Sequence, residues 1–297
     1  MATTYASFFP DGTRELASLA PEETWWRWRG HDVHVARARR PDAAARVLVL
    51  HGAGGHAGAV WPYAALLAAR GLDVAAVDLP LYGRTRAPDP RRTRYDDWVE
   101  LVVALAEAED DGRPLVLLGV SMGGMLAYEV GARSPHVAAV AATCLLDPRD
   151  LRTQAQMTRF GPLALVGGVL TPLVRGRVAT TTIPIRRVAD PARLSRDRRL
   201  CELSAQDPRG AGATVPLGFL ASYLRYRHVA PEEVTTPLAL VHPAEDAWTP
   251  PRLSLRVARR TAGPLRIVML RGCGHLPIEQ PGLDDLLTAV EALASEG

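Results

Sequence analysis

The chain has 297 residues, 47% of them hydrophobic, enough to bury the core of one large domain with room for an insertion. All 35 basic residues are arginine, with no lysine or asparagine, and 32 acidic residues leave a formal net charge of +3. So small a net charge argues against a dedicated nucleic-acid binder, and the arginine bias points to a GC-rich genome rather than to a function.

Strand and helix patterns alternate along the chain, the mark of an α/β fold on a mostly parallel sheet. Residues 24–29 and 32–39 alternate around the turn Gly30-His31-Asp32 and predict an antiparallel hairpin. The run 46–50 predicts a buried strand that leads straight into His51-Gly52-Ala53-Gly54-Gly55. A helix is expected at 61–70 and a strand at 72–77 ending on Asp78, while 95–109 has helical periodicity with Tyr95, Trp98, Leu101, Val102 and Leu105 on one face. The run 114–118 predicts a further buried strand, a helix follows from Met125, and 137–146 reads as the next strand, closing on Asp147-Pro148.

The rhythm then breaks. Residues 148–230 hold prolines, glycines and short helix-like pieces without strand alternation, and within 149–209 there are 12 arginines against 5 acids. This segment reads as an inserted cap between core segments 1–147 and 231–297. The strand and helix pattern resumes at 238–242 and continues with a helix near 251–261, a strand at 265–270 and a helix near 282–294.

The three cysteines, Cys144, Cys201 and Cys273, are odd in number and far apart, which points to free thiols in a reducing compartment. The N-terminal residues lack the basic-then-apolar order of a signal peptide, and the longest apolar stretch, 160–174, is too short and too rich in glycine and proline to span a bilayer. The expectation is a soluble cytoplasmic protein.

The chemistry concentrates in Gly119-Val120-Ser121-Met122-Gly123-Gly124, placed between a buried strand and a helix. A Gly-x-Ser-x-Gly at such a junction makes a strained turn that lifts the serine hydroxyl into a cleft and aims the next backbone N–H, that of Met122, at the same place. An acyl-transfer serine also needs a base and an acid that orients the base. His275, in Gly272-Cys273-Gly274-His275 after the last strand, is the candidate base, delivered at the carboxyl edge of the sheet. Asp246, just beyond the strand ending at His242, is the candidate acid, 29 residues before His275, room for one helix and one strand. The order Ser, Asp, His is the one this turn predicts. Glu245 and Asp147 compete with Asp246.

These pieces resemble the α/β-hydrolase fold serine hydrolases, above all the capped branch of esterases, monoacylglycerol lipases and lysophospholipases. The matching residues are His51-Gly52-Ala53-Gly54, Gly119 to Gly124, Asp246 with Pro250, and Gly274-His275 with Glu279 and Pro281. They span most of the chain in the family's order. Pro243 departs from it, standing where relatives more often have glycine, and so does Leu81-Tyr82-Gly83, in place of a Gly-x-Gly.

The resemblance implies Ser121 as nucleophile, His275 as base and then acid, Asp246 as orienting carboxylate, and an oxyanion hole from the backbone N–H groups of Met122 and Ala53. It implies a small-molecule ester substrate, one with an acyl chain, and no cofactor or metal. Thioester or C–C hydrolysis, acyl transfer, and small-molecule binding with little turnover share the scaffold.

Other residues have plainer readings. His51 is expected to brace its loop, and His56 to face either the cleft or solvent. Neither pairs with cysteine or carboxylate at zinc-ligand spacing. Cys273 lacks a base and orienter of its own and reads as a small loop residue. Trp25, Trp26 and Trp28 read as packing in the first strand. The apolar run Phe160 to Leu170 reads as cap core or as a wall for an acyl chain.

Overall fold

The computed structural model describes residues 2–157 and 171–296. The apolar run Phe160 to Leu170 lies outside them. The described residues form an eight-stranded sheet in the order β1-β2-β4-β3-β5-β6-β9-β10. The strands are β1 Glu22–Trp28, β2 His31–Ala38, β3 Arg46–Leu50, β4 Asp73–Val77, β5 Leu115–Gly119, β6 Ala139–Ala142, β9 Leu238–Pro243 and β10 Leu265–Leu270. β1, β2 and β4 pair antiparallel, and every pair from β4 to β10 is parallel.

Side-chain alternation in the central strands feeds two apolar layers. Val47 and Val49 of β3 and Val116 and Leu118 of β5 face one layer, with α3 (Ala57–Ala69) and the last helix, α10 (Gly282–Glu296). Leu48, Leu50, Leu115 and Leu117 face the other, with α4 (Tyr95–Ala108) and α5 (Met122–Arg133). Burial on both faces is what makes these strands read as unbroken apolar runs.

Register places the loops. Leu50 pairs with Gly119 at the ends of β3 and β5, so the His51 loop and the Ser121 turn leave the sheet side by side. Leu270 pairs with Pro243 at the ends of β10 and β9, which juxtaposes the loops carrying His275 and Asp246. All four segments emerge at the carboxyl edge.

Between β6 and β9 the chain forms α6 (Leu151–Met157), α7 (Gly176–Ala179), α8 (Arg198–Gln206), α9 (Leu217–Arg225) and single helical turns. It also forms a small antiparallel pair, β7 (Thr182–Pro184) with β8 (Thr214–Pro216). That pair departs from the strandless reading of 148–230, since three-residue strands are too short to show alternation. Two N-terminal helices, α1 (Ala2–Ala6) and α2 (Asp11–Ala17), were also not expected from the sequence. The strand expected at 137–146 is confined to Ala139–Ala142, the stretch that pairs with β5, of which Val140–Ala142 also pairs with β9. The tryptophans of β1 divide: Trp28 is buried, whereas Trp25 is 57% exposed, so packing under the sheet does not account for it.

Candidate active site

Ser121 has φ +56° and ψ −127°, a strained conformation for a residue with a side chain. The turn packs so tightly that its flanking glycines have no room for a side chain. A Cβ on Gly119 would lie 2.2 Å from the Gly123 carbonyl oxygen, and one on Gly123 would lie 2.3 Å from that of Leu50. The Ser121 N–H donates to Thr143 Oγ1 (2.9 Å), just past β6, and the Val120 N–H donates to the Leu50 carbonyl (2.9 Å). Strain at the serine is therefore held by the adjacent strands.

His275 Nε2 lies 2.9 Å from Ser121 Oγ, and its Nδ1 lies 2.8 Å from Asp246 Oδ2. Asp246 also accepts from the N–H groups of Trp248 (2.8 Å) and Thr249 (2.7 Å) and from Thr249 Oγ1 (2.6 Å). Burial pushes its carboxyl up, but His275 and the Thr249 donors outweigh that and hold it at about 2. An ionised carboxylate can only accept, so the His275 proton sits on Nδ1, and Nε2 is left to accept the serine hydroxyl. The Trp248 ring packs 4.8 Å from the imidazole, centroid to centroid.

The competing acids lie elsewhere. Glu245 is exposed and pairs with Arg196 (2.8 Å), and Asp147 accepts from the Arg149 N–H (2.9 Å). Gly52 approaches so closely that a Cβ there would be 2.9 Å from Met122 N, which sets the Gly52-Ala53 turn beside that amide. Ala53, Ser121 and His275 border both a narrow compartment of about 60 Å³ and a larger one of about 310 Å³. The larger is apolar, walled by Leu146, Ile183, Val188, Phe219, Leu220 and Trp248.

Residues 47–283 match the alpha/beta hydrolase family. The chain belongs to that family. Among its relatives is a monoacylglycerol lipase of Mycolicibacterium smegmatis, 27% identical over 81% of this chain and 85% of that protein. Another is a pimeloyl-[acyl-carrier protein] methyl ester esterase of Aromatoleum aromaticum, 26% identical over 80% and 92%. Among solved structures, a monoacylglycerol lipase of Paleococcus ferrophilus has the same fold with a TM-score of 0.70, at 20% identity over 90% of this chain and all of that one.

Within this alpha/beta hydrolase the two histidines that flank the Gly52-Ala53 turn, His51 and His56, brace backbone segments. His51 Nδ1 donates to the Gly52 carbonyl (2.8 Å), Nε2 accepts from the Leu79 N–H (3.0 Å), and burial lowers its pKa to about 4. His56 faces neither cleft nor solvent: it is buried against Asp207 (2.9 Å), a partner 151 residues away that no local pattern reveals. Cys273 is buried, donates to the Glu279 carbonyl (3.1 Å), and has its thiol pushed up to about 12 by burial, so it is no thiolate nucleophile. Among the described residues no three His, Cys, Asp or Glu side chains gather as a metal site, and no helix is long and apolar enough to cross a membrane.

Thr143 and Thr249 escaped the sequence reading. A threonine three residues after the candidate acid was a usable local signal, since such hydroxyls bond back to nearby groups. Thr143 offered none.

Proposed function

We propose that this alpha/beta hydrolase is a serine esterase that cleaves carboxylic esters bearing an acyl chain, of the monoacylglycerol or lysophospholipid kind, with residues 148–230 as a cap over the site. Ser121 Oγ attacks the ester carbonyl as His275 Nε2 takes its proton. Asp246 holds the imidazole in the required tautomer and stabilises the imidazolium. The Ala53 and Met122 amides receive the oxyanion of the tetrahedral intermediate. Its collapse expels the alcohol, protonated by His275, and leaves an acyl-Ser121. A water deprotonated by His275 then releases the acid.

The observation that carries this reading is the continuous contact from Ser121 Oγ through His275 to Asp246, at 2.9 and 2.8 Å, opening on a 310 Å³ apolar cavity. A carbonyl held at Ser121 finds room there for an acyl tail and in the narrow compartment for a small alcohol. The lipase and esterase relatives support the same substrate class.

Ser121→Ala should lower kcat on a short nitrophenyl ester by about 10⁴-fold or more, leaving only catalysis from binding and the oxyanion donors. A folded variant with full activity refutes the mechanism. In an ester series at constant alcohol, kcat/KM should rise from acetate to medium-chain acyl groups, and preference for acetate refutes the acyl-tail assignment.

A further inference from the structure

A second buried carboxylate meets a histidine away from Ser121. Asp207 follows α8 and is 9% exposed. Its Oδ2 accepts from His56 Nε2 (2.9 Å) and from the Tyr5 hydroxyl (2.9 Å), and its Oδ1 accepts from the Arg209 N–H (2.9 Å). Its carbonyl accepts the N–H groups of Gly210 (3.0 Å) and Gly212 (2.8 Å), so one residue ties the whole turn 207–212.

That turn is seated on the oxyanion loop. A Cβ on Gly210 would lie 2.7 Å from the Gly54 carbonyl, and one on Gly54, at φ +74°, would lie 3.2 Å from Ala211. Gly54 is next to Ala53, His56 is two residues further on, and the Gly55 N–H closes the turn onto the Gly52 carbonyl (3.0 Å). Asp207 thus grips the loop twice, through its carboxylate on His56 and through its turn on Gly54. Tyr5 adds a third segment, so α1, the oxyanion loop and the 207–212 turn meet on one carboxylate. Burial pushes the Asp207 carboxyl up, but His56 and the Arg209 amide bring it down to about 2, which keeps it an acceptor at any working pH.

We propose that Asp207 is a positioning residue that, through His56 and the 207–212 turn, holds the Ala53 amide in register with that of Met122 to receive the oxyanion. It touches no reacting atom and acts only through the loop. The role rests on the esterase reading above, in which those two amides are the donors.

The test compares Asp207→Ala, His56→Ala and His56→Gln on a short nitrophenyl ester, with thermal unfolding to confirm folding and fluorophosphonate labelling of Ser121 as a second readout. Oxyanion bonds strengthen only as the carbonyl becomes tetrahedral, so kcat should fall about 10- to 100-fold in Asp207→Ala and His56→Ala, with KM within about threefold. Labelling rates should fall in parallel. His56→Gln, whose side-chain amide still offers a donor to Asp207, should recover part of the loss seen in His56→Ala.

A folded Asp207→Ala with unchanged kcat, or a loss confined to KM, overturns the role. If Asp207→Ala does not fold, the two His56 variants decide by the same criterion. Full activity in Ser121→Ala, or wild-type protein that fails to label at Ser121, overturns the esterase reading and the positioning role with it. That outcome is distinct from normal labelling with indifferent Asp207 and His56 variants.

Discussion

Burial and hydrogen bonding compete most directly at Asp246. Its folded pKa of about 2 lies below the ordinary value of 3.8, so between these values the unfolded chain binds more protons than the folded one. The stability this confers, on the order of 2–3 kcal/mol, is fully present above about pH 4 and is lost as the pH falls through 2. Urea unfolding of wild type and Asp246→Asn should therefore show a stability gap that narrows from pH 5 to pH 2, and a gap independent of pH contradicts the assignment. In the same variant kcat should fall about 10³- to 10⁴-fold, because an amide can hold the wrong imidazole tautomer. Thr143→Val leaves the Ser121 N–H without its acceptor and should cost about 1–3 kcal/mol of stability, read from the urea midpoint. Ser121, Asp246 and His275 were legible because glycine spacing and strand ends mark them locally. Thr143 and His56 were not, since each acquires its role from a partner far along the chain.

At the scale of elements, α5 carries two requirements. Its first turn must lie against the sheet edge: a Cβ on Gly124 would lie 2.2 Å from the Cys144 carbonyl oxygen, a backbone atom with no room to yield. Gly124→Ala should thus destabilise by about 3 kcal/mol or more and lower the thermal midpoint, in contrast to the gain usual for Gly→Ala inside a helix. Deeper in the helix, Glu129 is fully buried, pairs with Arg133 (2.6 Å), and accepts from the Tyr226 hydroxyl (3.1 Å) and the Val229 N–H (2.8 Å). It thereby anchors the chain where it returns from α9 towards β9. Glu129→Ala should cost about 2–3 kcal/mol, because it strands the buried Tyr226 hydroxyl and the Val229 N–H and leaves a cavity in the core, and denaturant unfolding measures it. Nothing in the α5 sequence sets Glu129 apart from a solvated helical glutamate. Its burial follows from the segment that crosses over it.

Over the whole molecule, the sheet delivers Ser121, His275 and Asp246 to one edge, and described residues between β6 and β9 form most of the cavity wall beside them. Leu220, on α9, forms part of the cavity wall and is not fully buried, so a larger side chain there fills space without invading the core. Leu220→Trp should lower kcat/KM for the longest esters of the acyl series more than about tenfold, while short esters change by less than about threefold, as expected when only remote binding energy is lost. Equal losses across the series contradict an acyl tail in that cavity.

Alternation of strand and helix, burial of the central strands on both faces, and glycines where backbones touch are written into neighbouring residues. The sequence by itself therefore determined the α/β architecture and the Ser121, Asp246 and His275 candidates. The tertiary structure alone decided that Asp246 rather than Glu245 or Asp147 meets His275, that Thr143 accepts the Ser121 N–H, that Trp25 stays exposed, and that His56 and Tyr5 meet on Asp207. Each of these pairings joins groups tens to hundreds of residues apart, brought together by strand register or by segments that cross back over the sheet edge, and no local periodicity encodes such a meeting.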